Sequence, residues 1–123
     1  MWTYQIATRC LLHDGEVVSN TGWAGQGPWQ DHPTETNVEK KGPLPCGLYA
    51  IGPAYHHPIL GPVTMNLEPD ADNEMFGRAD FRIHGASATD SAHSSEGCII
   101  QLRSVREQIA ASPDRRLEVV PGT

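Results

Sequence analysis

Leu11-Leu12-His13-Asp14-Gly15-Glu16-Val17-Val18 decides the fold class, because two short apolar runs meet at Asp-Gly, a dipeptide favoured by two-residue hairpin turns. Just upstream, Trp2, Tyr4 and Ile6 alternate with polar neighbours, so one face of a strand turns inward at period 2. Strand composition returns further along at Gly47–Gly52, Pro62–Leu67, Phe81–Ile83, Gly97–Leu102 and Arg116–Val120. Twelve Gly and ten Pro among 123 residues argue against a helical bundle and for short strands joined by turns. One helix is expected over 104–111. Ser104-Val105-Arg106-Glu107 has the pattern of a capping box, Val105, Ile109 and Leu102 would face the core, and Pro113 stops the helix. The expectation is a mainly β single domain over 1–123, with one short helix after the Cys98 strand.

The charge and the terminus exclude several classes. Fifteen acidic against nine basic side chains leave a net charge of −6, which disfavours a nucleic-acid partner. No apolar run is long enough for a membrane span. Met1-Trp2-Thr3-Tyr4-Gln5 lacks the basic start and apolar run of a secretory signal, so synthesis in the cytoplasm is expected. Residues 25–43, rich in Gly, Pro and polar side chains, read as a long surface loop, either a lid over a site or a plain connection. The acidic run Glu68, Asp70, Asp72 and Glu74 lacks the ligand spacing and central Gly of an EF-hand and reads as a solvated loop.

Three cysteines leave at least one thiol unpaired within the chain. Cys98 follows a Gly and precedes a strand, and Gly97 permits a backbone conformation and a close approach that a side chain would forbid. The N–H groups of Gly97 and Cys98 could then meet a developing oxyanion. An ordinary thiol is mostly protonated at neutral pH, so a nucleophilic Cys98 needs a base. His84, at the end of its own strand and fourteen positions upstream, is the candidate. The alternative is a buried structural Cys and a hydrogen-bonded His. Zinc is the rival use of these residue types, but Cys10, Cys46, His13, His56, His57 and His93 form no C-x-x-C or H-x-x-x-H pair, so no metal and no cofactor are expected. Without a signal sequence, Cys10 and Cys46 are expected to be reduced rather than paired. A papain-like peptidase would place its Cys before its His, the reverse of the order here.

Ile83-His84-Gly85 followed by Ser95-Glu96-Gly97-Cys98-Ile99 resembles the catalytic signature of the L,D-transpeptidase family, and Gly42–Ile51 is similar to that family's Pro-x-Gly-x-aromatic strand. Glu96 stands where the family usually carries a second His, and the His-to-Cys loop is short. With Asn73-Glu74-Met75-Phe76-Gly77-Arg78, these features resemble the effector branch delivered by type VI secretion. The resemblance implies a twisted β-sandwich or barrel of the L,D-transpeptidase type. It also implies cysteine acyl transfer on peptidoglycan tetrapeptide stems, as L,D-carboxypeptidase or D-amino-acid exchange, in the periplasm of a target bacterium. An immunity protein and a secretion apparatus are the further partners implied. Within it, Cys98 is the nucleophile, His84 the general base and acid, the Gly85 carbonyl the group that orients the imidazole, and Gly97 part of the oxyanion site. Ser95 and Glu96 adjoin the nucleophile, with Ser95 expected to line the site. Arg78 and Arg82 would meet stem carboxylates or pair with the 68–74 acidic run. Trp23 and Trp29 would stack on a sugar or cover the cleft, with Trp23 otherwise core. The remaining alternatives are a catalytically silent peptidoglycan-binding module of the same fold and a housekeeping enzyme that makes cross-links.

Overall fold

In the computed structural model, which describes residues 1–122, the Asp14-Gly15 turn closes as expected. Strands β2 (Leu11–His13) and β3 (Glu16–Ser19) pair antiparallel with His13 opposite Glu16. Asp14 and Gly15 both take positive φ (49° and 86°), the twist that lets a two-residue turn join right-twisted strands. Strand β1 (Trp2–Gln5) sits beside β2, with Trp2 and Tyr4 buried and the residues between them half-exposed. A short β4 (Trp23–Ala24) follows, then β5 (Gly47–Ile51), β6 (Tyr55–His57) and the long β7 (Gly61–Pro69). Beyond them come β8 (Arg82–His84), β9 (Ile99–Ile100), helix α1 (Arg103–Ala111) and β10 (Arg116–Val120).

The strands form a ten-stranded mixed sheet in the order β3-β2-β1-β10-β5-β7-β8-β9-β4, with β6 on β7. The fold is mainly β with one helix, consistent with a β-sandwich. Strand β7 joins its two halves: Ile51 and Tyr49 of β5 pair with Leu67 and Pro69, while Ile83 of β8 pairs with Met65. One apolar core gathers Trp2, Tyr4, Tyr49, Leu117 and Val119 from one half with Met65, Ile83 and Ile99 from the other. Two pairings are parallel, β1 with β10 and β8 with β9. Period-2 patterning specifies which face is buried but not which neighbour a strand takes. Thr123, the last residue of the expected domain, lies outside the described residues. No helix among the described residues is long and apolar enough to cross a membrane.

Two local expectations are corrected. Helix α1 begins one residue early, and its cap is Leu102, in extended backbone (φ −61°, ψ 154°), with no side-chain capping bond. Ser104 therefore lies inside the first turn, and Glu107 accepts from Arg103 Nε at 3.2 Å instead of closing a capping box. The end of β9 sets this start: Gln101 N–H is held by the His84 carbonyl, and the Leu102 carbonyl takes the Arg106 N–H. Leu102 itself is exposed, and the buried face of the helix is Val105, Arg106 and Ile109. Segment 25–43 is also less peripheral than its composition suggests. It contains two 3₁₀ turns, Gly27–Trp29 and Pro33–Glu35, its ends meet through Gln26 N–H and the Lys41 carbonyl (2.9 Å), and Gly25, Gln26, Thr36, Gly42 and Pro43 are buried.

Candidate active site

Strands β8 and β9 run parallel, with Ile83 opposite Ile99 and His84 opposite Ile100. Side chains alternate across a strand, so Arg82, His84, Cys98 and Ile100 share one face, and Cys98 falls opposite Arg82 one step before β9. The contact between those two is direct, since Arg82 N–H donates to Cys98 Sγ at 3.3 Å. Cys98 and His84 line the same cavity, of about 870 Å³, together with Asp80, Arg82, Glu96 and Lys40.

The nucleophile's turn is built on buried polar contacts. Gly97 has φ 122°, a conformation that L side chains rarely adopt. A Cβ there would stand 2.6 Å from Arg78 Nη2 and 2.8 Å from the Phe81 ring. The Arg78 guanidinium lies over Phe81 and donates to four backbone carbonyls: Thr36 (2.6 Å), Pro43 (2.8 Å), Gly42 (3.0 Å) and Glu96 (3.1 Å). It is buried and, among the described residues, makes no ion pair with the acidic 68–74 run. Ser95, fully buried, accepts from the N–H groups of Gly25 (2.9 Å) and Gly97 (3.1 Å) and donates to the Cys98 carbonyl (2.6 Å). Ser95 thus shapes the turn from beneath and does not line the cavity. The Gly97 N–H, spent on Ser95, is not free for an oxyanion; the Cys98 N–H has no intramolecular partner among the described residues.

On the other strand, His84 is almost fully buried and its Nδ1 lies 2.8 Å from the Gly85 carbonyl. A carbonyl only accepts, so this bond puts the proton on Nδ1 and leaves Nε2 as the basic nitrogen of the neutral ring. Gly85 in turn lies against a second buried arginine, since a Cβ there would stand 2.7 Å from Arg106 Nη2. Arg106 donates to the Gln101 carbonyl (3.0 Å) and the Pro62 carbonyl (2.7 Å). Arg82, half-exposed at the cavity wall, donates from its side chain to Asn66 Oδ1 (3.0 Å), Tyr55 Oη (3.3 Å) and the Asp80 carbonyl (3.2 Å). Glu96 is exposed on the cavity and contributes its carbonyl to Arg78.

Burial governs both titrations. It pushes the Cys98 thiol up to about 11, against the opposing pull of the Arg82 N–H and the Arg82 charge. Burial also lowers the His84 imidazole below its ordinary value, while the Gly85 carbonyl works the other way. At neutral pH the pair is therefore thiol and neutral imidazole, the starting state for proton transfer during attack, not a preformed ion pair.

Other expected groups fall elsewhere. His93 is exposed on the cavity rim and bonded to Asp90 (2.9 Å), and Trp29 is half-buried beneath the Lys41 ammonium (5.7 Å). Trp23 is half-buried at a second, smaller cavity. Cys10, Cys46 and Cys98 are all free thiols. Among the described residues, one group of possible metal ligands is close enough to act together, His13, Asp14 and Asp114, and it includes none of the cysteines. Arg106 and Gln101 were not singled out from sequence. The available signal was an arginine between Val105 and Ile109 on the helix face turned inward, an anomaly that calls for buried acceptors.

A family model described as the Tlde1 domain matches residues 18–122, which is most of the chain. The protein therefore belongs to the Tlde1 domain family, a family of type VI secretion effectors. That membership fits an immunity protein and a secretion apparatus as partners. No curated protein and no solved structure matches the chain.

Proposed function

We propose that this Tlde1-family effector is a cysteine acyl-transfer enzyme that trims or exchanges the terminal D-alanine of peptidoglycan tetrapeptide stems. The observation that carries the proposal is the placement of Cys98 and His84 on one cavity, with His84 Nδ1 bonded to the Gly85 carbonyl so that Nε2 is the basic nitrogen. Cys98 Sγ attacks the carbonyl that joins the third stem residue, an L-centre, to D-alanine, and the thiol proton passes to His84 Nε2. The tetrahedral oxyanion takes the Cys98 N–H. Collapse breaks the C–N bond, the amine leaves with the proton from His84, and the acyl group remains as a thioester on Cys98. Water then gives a tripeptide and free enzyme, whereas a free D-amino acid gives exchange. Either outcome removes the tetrapeptide donors that a growing wall needs, in keeping with a toxin acting in the periplasm.

The high pKa of the thiol is compatible with this route because the base removes the proton only as the S–C bond forms. Burial of the same thiol favours a second reading, a peptidoglycan-binding module that does not cleave. Incubation with tetrapeptide muropeptides, with and without D-methionine, followed by mass spectrometry separates the two. Loss of D-alanine or its replacement is expected, and Cys98→Ala abolishes it while Cys10→Ala and Cys46→Ala do not. Unchanged tetrapeptide with folded wild-type protein would sink the enzyme reading for this substrate.

A further inference from the structure

A second cavity, of about 140 Å³, adjoins the first at Ala86, which lines both spaces. Its walls include Gly22, Trp23, Gln101 and Arg106. Gln101 is 2% exposed, yet neither Nε2 nor Oε1 has a hydrogen-bond partner among the described residues, and the buried Trp23 Nε1 has none either. Arg106 spends Nε and Nη1 on carbonyls, while Nη2, beside Gly85, makes no hydrogen bond among the described residues. Gly22 packs against the Ile100 carbonyl and the amide, since a Cβ there would overlap the first and stand 2.6 Å from Gln101 Nε2. The buried Trp23 Nε1 and Gln101 Nε2 donors and the Gln101 Oε1 acceptor are costly to leave dry, at about 1–3 kcal/mol each, and Arg106 Nη2 adds a cationic donor at the same cavity.

The inventory selects a ligand. The cationic Arg106 guanidinium and the neutral Trp23 indole N–H suit a carboxylate, and the Gln101 amide supplies a further donor group and one acceptor in either orientation. An acceptor beside a carboxylate site calls for an N–H on the neighbouring carbon. We propose that this cavity binds the α-carboxylate and adjacent N–H of an amino acid, either free or at the end of a peptide. Its use as the seat of the released or incoming amino acid rests on the acyl-transfer reading; the binding itself does not.

The test is nuclear magnetic resonance on the Cys98→Ala protein, which lacks the candidate nucleophile. The Trp23 indole N–H signal, assigned by its loss in Trp23→Phe, is followed during titration with D-alanine, L-alanine, N-acetyl-D-alanine and D-alanine methyl ester. A saturable shift with one or more of the acids, and none with the ester, is expected. A shift with alanine alone assigns the site to a free amino acid, and one with the acetylated acid assigns it to a chain end. By calorimetry, Gln101→Leu and Trp23→Phe are each expected to weaken binding about tenfold or more. No shift with any acid, as for a cavity that holds only water, or an equal shift with the ester, overturns the inference. Amino-acid binding without muropeptide turnover in the wild type would overturn the acyl-transfer reading alone. Turnover without such binding would overturn this inference alone.

Discussion

The two halves of the candidate site rest on the same device with different endings. On the thiol side, Gly97 lies over the Arg78 guanidinium; on the imidazole side, Gly85 lies over that of Arg106. Both arginines are buried, and both are held by backbone carbonyls rather than carboxylates. Both terminal nitrogens of Arg78 are engaged, by four carbonyls drawn from segment 36–43 and from Glu96, whereas Arg106 keeps Nη2 unbonded among the described residues, at a cavity. A structural cation is thereby told apart from one with chemistry to spare. Burial is alike for the two; the engagement of the terminal nitrogens is not.

Removing each cation in turn has the largest expected effect. Arg78→Met leaves three buried carbonyls and one part-buried carbonyl without their donor and is expected to cost about 4 kcal/mol or more, read from the urea midpoint. Arg106→Met, which frees two well-bonded carbonyls, is expected to cost about 2 kcal/mol. An equal or larger loss for Arg106→Met would contradict the distinction between them.

The two sides also titrate in opposite senses. The Cys98 thiol has a folded pKa above its unfolded value, so its contribution is present below about pH 9 and is lost as pH rises through about 11. Denaturation measured across that window should show an alkaline decline to which the thiol adds roughly 3 kcal/mol at most, so the decline is shallower in Cys98→Ala, with the buried Tyr4, Tyr49 and Cys46 groups supplying the rest. His84 has a folded pKa below its unfolded value, so its contribution is present above about pH 6.5 and fades as pH falls. His84→Gln should flatten the acid limb of the stability profile and leave the alkaline limb as it is.

Adding a methyl group to each glycine sharpens the contrast at smaller energies. Gly97→Ala meets both a forbidden φ and the packed Arg78–Phe81 pair, and is expected to cost about 2–3 kcal/mol and to end muropeptide turnover. Gly85→Ala meets only the end of the Arg106 side chain, so about 1 kcal/mol is expected, with weakened amino-acid binding as the clearer readout. Thermal unfolding and the titrations above measure both.

Much of the β structure was legible because strand faces repeat every second residue and Asp-Gly demands one turn type. The capping box misled for a reason of the same kind: Ser104 and Glu107 have the right spacing, but the end of β9 hands the chain into the helix at Leu102, before the serine can cap it. Ser95 shows the limit for the site. Its place three residues before Cys98 suggested a cavity wall, yet its hydroxyl points beneath the turn, where Gly25, seventy residues away in sequence, supplies one of its partners. Arg78 misled likewise, because a cation beside an acidic run suggests an ion pair and nothing local reveals the carbonyls of a distant loop.

By itself, then, the sequence determined the mainly β character, the turn at Asp14-Gly15, one helix before Pro113, and the pairing of His84 with Cys98 as the residues to watch. These follow from local rules of periodicity, turn chemistry and reactivity. Three outcomes were settled in three dimensions: β8 and β9 run side by side in parallel, the Gly97 N–H is spent on Ser95, and one buried arginine engages both terminal nitrogens while the other engages one. Those outcomes depend on where donors and acceptors far apart in the chain meet in space. A hydrogen bond is specified by both partners, and the sequence around either one names only half of it.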